Sequence, residues 1–496
     1  MRILNTDKLI SHGNIEGRKH ILEIMEAGLS ETDPYYNTLN MLNIENGKLS
    51  VGYPDFVPKG SPRTGIDVYD LDTDLDRIFV FGAGKGIHRS ALAIEEVLGD
   101  YLTGGHIIIK HGDKHNLNKI GVTHAGHPIA DECSVEGSKK MVDMIDDLNL
   151  TNRDLVLTII GNGASSLMTL PVEGIEFKEI QEITEVMQIK KGLPTTVLNY
   201  VRNQVDQLKG GRITKKLHPS KMVHIITIDL NEPNAFGEVG YQGVMNSNIW
   251  LHTLPDMSTA KEAIEILKKN DIWDCVADSI QRHLLNQTDE QKSLVRQEFE
   301  KMDCRIFGIM PNDLGFLNSS MEVAKNLGYE PHLLTRKTFV EAAPAGSLIS
   351  RIAVNIANEN QPFKTPCALF MTGELVVKVE DEPGIGGRNQ EFALSAATII
   401  NGNKRIVIAS ADTDGTDGPG GIFNQEAADM GCNNLAGGVV DGYTLDEAQK
   451  YGVDVMNGLK THGTSDVLWK LDSGIWASQS ISVQDLIVIL IMDHDG

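Results

Sequence analysis

Short apolar runs alternate with amphipathic stretches over the first 300 residues. Apolar runs of four to eight residues indicate buried strands, and four are predicted, at 77–81, 104–110, 155–160 and 223–228. Helical spacing of apolar residues follows the first run and also covers 134–147. Because strand, glycine turn, helix and strand succeed one another, the pattern predicts βαβ units of a parallel, doubly wound sheet.

A second alternation of strands and helices begins near residue 304, after a charged helical stretch over 257–301. Residues 1–30 also have helical spacing, and we assign them to the first part of the chain. Because 496 residues exceed what one core buries, we predict two α/β domains, 1–300 and 301–496, with a cleft between them.

A glycine-rich loop from Pro383 to Glu391 follows an apolar segment of the second domain. That segment, 368–379, is predicted to be two strands turning at Thr372-Gly373-Glu374, and a helix is predicted after the loop. Three glycines let a backbone approach a ligand, and a helix start attracts anions. Arg388 adds a fork suited to phosphate or carboxylate. The alternative is a tight structural turn with an exposed arginine.

Composition narrows the classes of partner. A net charge of −23 and a pI near 5.1 argue against nucleic acid, which requires a basic surface. Five scattered cysteines without a CxxC pair indicate free thiols in a reducing compartment. No run reaches the ~18 apolar residues of a membrane span, so we expect a cytoplasmic protein without a membrane partner.

Glycine turns follow the first and third predicted strands, at 82–86 and 161–166. Both lie at carboxyl ends of strands, where doubly wound sheets bind ligands. The run Gly82-Ala83-Gly84-Lys85 matches neither the P-loop nor a good dinucleotide fingerprint. Lysine is a flexible point charge that can follow a phosphoryl group during transfer, and a snorkelling surface lysine is the alternative.

Three carboxylates stand close together after the strand over 405–410, at Asp412, Asp414 and Asp417. Magnesium binds one or two such carboxylates together with substrate phosphates. An EF-hand is excluded because Phe423 occupies the twelfth position, where that loop needs glutamate. The alternative is an Asp/Gly turn that caps a helix.

Two histidines, His124 and His127, precede Cys133. A zinc site is one interpretation, and a contact from His127 to an anionic substrate is the favoured one. The turn at 161–166 offers N–H groups at a helix start. A serine nucleophile there lacks the G-x-S-x-G context.

These stretches together resemble the glycerate 2-kinase family, also named the MOFRL family and sometimes labelled hydroxypyruvate reductase. The resemblance runs in order over residues 10–495. Its pieces are Gly84-Lys85, His127-Pro128-x-x-Asp131-Glu132-x-Ser134, Asn199-x-Val201-Arg202, Lys209-Gly210-Gly211-Arg212, Gly373-Glu374, Gly384-x-Gly386-Gly387-Arg388-Asn389-Gln390-Glu391-Phe392-Ala393 and Thr413-Asp414-Gly415-x-Asp417-Gly418-Pro419.

The resemblance implies a Rossmann-like parallel-sheet first domain, a smaller mixed α/β second domain and an active-site cleft between them. There ATP would phosphorylate the 2-hydroxyl of glycerate. Lys85 and Arg388 would be the catalytic pair, neutralising the transferring group from opposite sides. Three loops depart from the family pattern, at 161–165, 229–234 and 477–485. Either the substrate differs from glycerate or phosphate recognition is rebuilt.

The remaining site residues are assigned by role. His127 and Arg202 are expected to meet the substrate carboxylate, with Asp131 and Glu374 also binding substrate. Nucleotide phosphates are assigned to Gly82, Gly84, Gly161, Gly163, Ser165, Gly386 and Gly387. Asp414 and Asp417 are expected to hold Mg²⁺. Asp131, Glu374 and Glu391 are the candidates for general base.

We therefore predict an ATP- and Mg²⁺-dependent kinase of a small hydroxy acid, and leave homo-oligomerisation open. One rival is an oxidoreductase with a nicotinamide cofactor, for which Asp113 is the candidate ribose ligand. Another is a non-catalytic ligand-binding relative of the family.

Overall fold

The computed structural model describes residues 1–127, 129–232, 236–310, 313–379, 384–481 and 484–493. The chain forms two compact units. The parallel-sheet unit is Pro34–Met310, and the mixed-sheet unit combines Met1–Asp33 with Pro311–Gly496. Within the described ranges, no helix combines the length and apolarity needed to cross a bilayer.

The strands are, in chain order, β1 Leu42–Glu45, β2 Lys48–Val51, β3 Asp67–Asp70, β4 Arg77–Ala83, β5 Leu102–Lys110, β6 Ile120–Ala125, β7 Asp154–Ile160, β8 Lys221–Ile226, β9 Cys304–Gly308, β10 Glu330–Thr338, β11 Cys367–Gly373, β12 Ile406–Asp412, β13 Gly437–Asp441, β14 Gly474–Ile475 and β15 Asp485–Ile491.

The α-helices are α1 Thr6–Leu9, α2 Ile15–Glu31, α3 Pro34–Met41, α4 His88–Leu98, α5 Glu132–Leu148, α6 Ala164–Leu167, α7 Phe177–Glu185, α8 Thr195–Arg202, α9 Arg212–Leu217, α10 Gly240–Ser247, α11 Ala260–Lys269, α12 Asp278–Leu285, α13 Arg296–Phe299, α14 Asp313–Asn326, α15 Ala342–Glu359, α16 Arg388–Ile400, α17 Gln425–Asp429, α18 Thr444–Tyr451, α19 Val455–Lys460 and α20 Thr464–Lys470.

The parallel-sheet unit is built on six parallel strands in the order β6-β5-β4-β7-β8-β9. In this doubly wound order, β5 and β6 extend the sheet on one side of β4, and β7, β8 and β9 extend it on the other. The switch point therefore lies between β4 and β7. Every residue of β7 is buried, because helices cover both faces of such a sheet. The predicted Rossmann-like sheet is confirmed, and its switch point lies where both glycine turns begin.

The mixed-sheet unit has the strand order β10-β11-β15-β12-β13-β14. Only the β10–β11 pair among these strands is parallel, so the predicted mixed α/β class is also confirmed. The predicted hairpin over 368–379 is wrong, because β11 ends at Gly373 and pairs with β10 and β15. After it, the Leu375 N–H donates to Asp485 Oδ2 at 2.8 Å, which turns the chain away from β11.

The first 33 residues fold with the mixed-sheet unit, whereas the sequence prediction placed them in domain 1–300. The buried face of α2 packs in one core with apolar residues of β12 and β15. Arg18 Nε lies 2.6 Å from Asp441 Oδ2, and neither side chain is exposed to solvent. The helical spacing of 15–29 defines a buried face without indicating its partner, which explains the difference.

Acid should weaken the parallel-sheet unit through His224. Its Nδ1 lies 2.8 Å from Thr158 Oγ1, and burial lowers its pKa to about 3. The unfolded chain therefore binds more protons below pH 6.5, so stability falls as the pH drops from 6.5 towards 3. His224→Asn cannot titrate at this position. Between pH 6.5 and 4 we therefore expect its free energy of unfolding to fall by about 3 kcal/mol less than that of the wild type. Urea unfolding at both pH values measures this, and equal pH dependence of the two proteins would contradict it.

Candidate active site

The two glycine turns at the switch point pack directly on each other. Gly84 has a φ of 155°, and a Cβ atom there would lie 2.6 Å from the Gly161 Cα atom. A Cβ atom on Gly82 would lie 2.1 Å from the Ile159 carbonyl oxygen. Gly82 and Gly84 were predicted to approach a nucleotide. Their lack of a side chain is required because the ends of β4 and β7 lie too close together for a Cβ atom.

The N–H groups of the turn after β4 are used inside the protein. Gly84 donates to the Ile108 carbonyl at 3.1 Å, and Lys85 donates to the Asn162 carbonyl at 2.8 Å. The Gly86 N–H donates to the Asp113 carboxylate. These N–H groups already have acceptors inside the protein, and phosphate binding by the turn at 82–86 stays a prediction.

Adding one methyl group at this junction should be costly. We expect Gly84→Ala to lower the free energy of unfolding by about 2 kcal/mol or more, since it combines backbone strain with a clash against Gly161. Gly65→Ala is the matched control, because a Cβ atom there meets no heavy atom within 4 Å. Chemical denaturation of both variants tests this, and equal stabilities would refute the packing explanation.

Lys85, His127 and Gly163, three residues assigned to the site from the sequence, lie close together. A Cβ atom on Gly163 would lie 2.7 Å from His127 Cδ2 and 3.3 Å from Lys85 Cγ. Burial, helped by Lys85 and Lys110, lowers the pKa of His127 to about 4, so its imidazole is neutral at physiological pH. The side chain of Lys85 is half-buried, and its ammonium has no hydrogen-bond or ion-pair partner among the described residues. In the described part of the chain, the turn thus carries an ammonium without a partner beside a neutral imidazole.

Ser165 and Arg202 line one pocket, beside the turn that follows β7. The Ser165 Oγ atom lies 2.8 Å from His252 Nε2, a residue that sequence reasoning missed. Burial lowers the pKa of Arg202 to about 10, so the guanidinium stays charged at neutral pH. Two residues assigned to different ligands therefore face the same space.

The motif Lys209-Gly210-Gly211-Arg212 serves the fold of this region. The fully buried Lys209 Nζ lies 2.6 Å from Asp206 Oδ2 and 3.0 Å from Thr169 Oγ1. Arg212 donates to three backbone carbonyls, of Asn203, Lys209 and Gln291. Both cations are thus satisfied by the protein itself.

Asp131 has a structural role that the sequence did not predict. Its Oδ1 atom accepts the Ser134 N–H at 3.0 Å and caps α5, while Oδ2 lies 2.7 Å from His111 Nε2. Potential metal-ligating atoms of His111, Asp131 and Cys133 lie within 4.8 Å of one another. His124, considered above as a zinc ligand together with His127, is not part of this group. Its Nε2 atom lies 2.9 Å from the Asp113 carbonyl oxygen.

The mixed-sheet unit holds a second cluster, centred on Arg388 at the first turn of α16. Its Nε atom lies 2.9 Å from Asp485 Oδ2, and its Nη2 atom lies 2.7 Å from Asp412 Oδ2. Burial opposes the charge, but Asp485 and Asp412 outweigh it and hold the pKa of Arg388 above its usual value. Glu374 lies 3.9 Å from the same guanidinium and is largely exposed.

The start of α16 is already capped by a carboxylate. Asp417 accepts the N–H groups of Asn389 at 3.2 Å and Gln390 at 2.9 Å, and burial raises its pKa to about 7. A Cβ atom on Gly387 would lie 2.3 Å from Asp417 Cγ, and one on Gly386 would lie 2.3 Å from Thr464 Oγ1. The N–H groups at this helix start, predicted to bind phosphate, therefore donate to Asp417, which was itself predicted to bind metal. Pro383 of this loop lies outside the described residues.

Asp414 remains the best-placed residue for magnesium in this cluster. Its Oδ1 atom accepts the Thr416 N–H at 2.7 Å, and no donor contacts Oδ2 among the described residues. Burial, Asp414 and Asp485 raise the pKa of Asp412 well above its usual range, and a divalent cation would relieve that repulsion. One free carboxylate oxygen fits magnesium, which takes few protein ligands and completes its shell with phosphates and water.

These features define an α/β protein of two units, each with charged side chains gathered at strand ends. A domain described as a domain of unknown function, DUF4147, matches residues 20–285, and the MOFRL family matches residues 367–481. The D-glycerate 2-kinase of Thermotoga maritima is 32% identical over 423 residues, which cover 84% of this chain and 92% of that protein. The chain belongs to the glycerate 2-kinase family.

Two further relatives support this membership. The glycerate 2-kinase of Pyrococcus horikoshii is 29% identical over 484 residues, covering 96% of this chain and 97% of the relative. The crystal structure of a glycerate kinase from Thermotoga maritima matches with a TM-score of 0.70 and 28% identity, covering 96% of this chain and 99% of that one. The likeness therefore extends over both units.

Proposed function

We propose that this protein is an ATP-dependent glycerate 2-kinase. The supporting structural observation is Lys85, whose ammonium has no partner among the described residues and lies at the switch point of a Rossmann-like sheet in a chain of the glycerate 2-kinase family. A substrate hydroxyl oxygen would form a bond to the γ-phosphorus, and the bond to the ADP oxygen would break with its electron pair. Such transfer depends on positioning and on charge neutralisation more than on covalent chemistry.

Lys85 would neutralise charge that develops on the transferring group. Its ammonium is held by no carboxylate among the described residues, so it can move with the phosphoryl group. His127 is neutral beside it and can accept or donate one hydrogen bond without adding charge. The pairing of Lys85 with Arg388 on one phosphoryl group stays a prediction.

Magnesium, when bound, would neutralise charge on the nucleotide phosphates, and Asp414 is the residue we assign to hold it. Asp417 is withdrawn from this role because it caps α16. For the substrate proton, Glu374 is the best candidate base, since its carboxylate is largely exposed. Glu391 is less suitable because it lies 2.9 Å from His462 Nδ1, and Asp131 because it caps α5.

The oxidoreductase alternative is less well supported by the turn after β4. Dinucleotide binding at this place uses free backbone donors for the pyrophosphate. Here Gly84 and Lys85 donate to carbonyls, and the Gly86 N–H donates to Asp113, the expected ribose ligand. Asp113 therefore holds the turn in place.

A coupled assay of ADP release tests the proposal over glycerate, tartronate and four-carbon sugar acids, with ATP and Mg²⁺. We expect turnover with glycerate and none when magnesium is chelated. Parallel assays with NADH or NADPH and hydroxypyruvate address the oxidoreductase. ATP binding without turnover of any acid would instead favour a non-catalytic relative.

A further inference from the structure

Ser165 stands between two side-chain nitrogen atoms at the wall of the pocket described above. Its Oγ atom lies 2.8 Å from His252 Nε2 and 3.4 Å from Asn199 Nδ2. Both neighbours are almost completely buried, with exposed fractions of 1%. Within the described residues, His252 Nδ1 and Asn199 Oδ1 have no hydrogen-bond partner. The hydroxyl is thus the one polar group that these two buried side chains share.

The tautomer of His252 follows from its surroundings. Burial, together with the charges of Lys209 and Arg202, lowers its pKa well below the usual value, so the ring is neutral and carries one N–H. A buried N–H without a partner is costlier than an unused lone pair. We therefore assign the proton to Nε2, from which it is donated to Ser165.

Because Asn199 also donates through Nδ2, the Ser165 oxygen accepts hydrogen from both neighbours. A hydroxyl has one hydrogen of its own to donate. With both neighbours acting as donors, that hydrogen must point elsewhere, and Ser165 lines the pocket. The pocket is thus supplied with an O–H donor of fixed direction.

The charges of the pocket indicate an anionic ligand with a single carboxylate. Lys209 is neutralised by Asp206 at 2.6 Å. Arg202 has no carboxylate partner among the described residues and meets only the Gln188 amide oxygen, at 3.4 Å. The rest of the lining mixes apolar side chains such as Phe177 and Ile180 with uncharged polar ones such as Gln181 and Thr184. One guanidinium and one hydroxyl donor match the two oxygens of a carboxylate, and the mixed lining suits a short hydroxylated carbon chain.

We propose that this pocket binds the carboxylate of a hydroxy monocarboxylic acid, with Arg202 and the Ser165 hydroxyl as its two donors. His252 is a positioning residue that makes Ser165 a donor. Ser165, which the sequence prediction assigned to the nucleotide, is therefore assigned here to the acid. The identity of that acid as glycerate rests on the proposed function, whereas the carboxylate site itself does not.

Isothermal titration of D-glycerate and, separately, of ADP into the purified protein tests this. We expect Ser165→Ala and His252→Leu to weaken glycerate binding at least about tenfold, because a hydrogen bond to a charged group is lost, and to leave ADP affinity within about twofold. His252→Gln retains an N–H near the position of Nε2 and should bind glycerate within about threefold of wild type. The matched control is Thr253→Val, at a buried neighbouring residue whose hydroxyl has no hydrogen-bond partner.

Four results would overturn the proposal: unchanged glycerate affinity in Ser165→Ala, equal losses in His252→Leu and His252→Gln, loss of ADP affinity in place of glycerate affinity, or no glycerate binding by the wild type at 50 mM. Because Ser165→Ala removes only one oxygen atom, it remains informative if His252→Leu fails to fold. A wild-type protein that binds glycerate through Ser165 without turning it over would refute the kinase and retain the site.

Discussion

Replacing Lys85 by Met should lower kcat for glycerate phosphorylation by about 10²–10³-fold, the usual effect of losing one preorganised charge at a transferring group. The fold should tolerate the change, because Lys85 has no partner among the described residues and its removal strands no carboxylate. We expect the free energy of unfolding to stay within about 0.5 kcal/mol of wild type. Steady-state kinetics and urea unfolding of the same preparation separate the two effects.

Lys110→Met is the matched control. Lys110 ends β5, is exposed and, like Lys85, acts electrostatically on His127. If activity depended only on keeping His127 neutral, the two variants would lose similar activity. Activity of Lys85→Met within about threefold of wild type would remove Lys85 from the transfer step.

Unlike Lys85→Met, which should leave stability nearly unchanged, Arg388→Met should lower the free energy of unfolding of the mixed-sheet unit. We expect a loss of about 3–5 kcal/mol, as when one partner of a buried ion pair is removed. Asp485 is fully buried and Asp412 nearly so, and both would lose their cation. Urea unfolding measures the change, with Arg351→Met as an exposed arginine control in the same unit.

A second substitution tells structural loss from catalytic loss at Arg388. Asp485→Asn removes one of the two negative charges that Arg388 balances, so Arg388→Met/Asp485→Asn should be more stable than Arg388→Met by at least about 1 kcal/mol. A double variant that is stable again but inactive would support a catalytic role for Arg388. If Arg388→Met alone were as stable as wild type, the buried ion pair would not support this unit.

The strands of the parallel sheet could be predicted because β4, β5 and β7 are continuous apolar runs buried on both faces. The edge strand β6 escaped prediction, since Gly121, Thr123 and His124 interrupt its apolar residues and its burial is irregular. Pairing was harder still. The apolar run at β11 gives no indication that its partner β15 lies more than a hundred residues away. Periodicity defines a face, and tertiary packing selects what covers it.

The candidate site was predictable to a similar extent. Lys85, His127 and Gly163 meet because the carboxyl ends of the parallel strands β4, β6 and β7 share one edge of the sheet. The partners that define the chemistry were not predictable: Asp485 is 97 residues from Arg388, and His252 is 87 residues from Ser165. Asp417 was assigned to a metal because a carboxylate after a strand gives no sign of which N–H groups it will cap.

The packing of α2 in the mixed-sheet unit has a consequence for biosynthesis. The apolar face of α2 is synthesised well before its partner β15, which ends roughly 460 residues later, a delay of roughly 20–90 s at ordinary elongation rates. The intervening Pro34–Met310 segment is continuous and can fold during that interval. Helix α2 therefore waits with its apolar face exposed, and a chaperone that binds short amphipathic segments would find a target there.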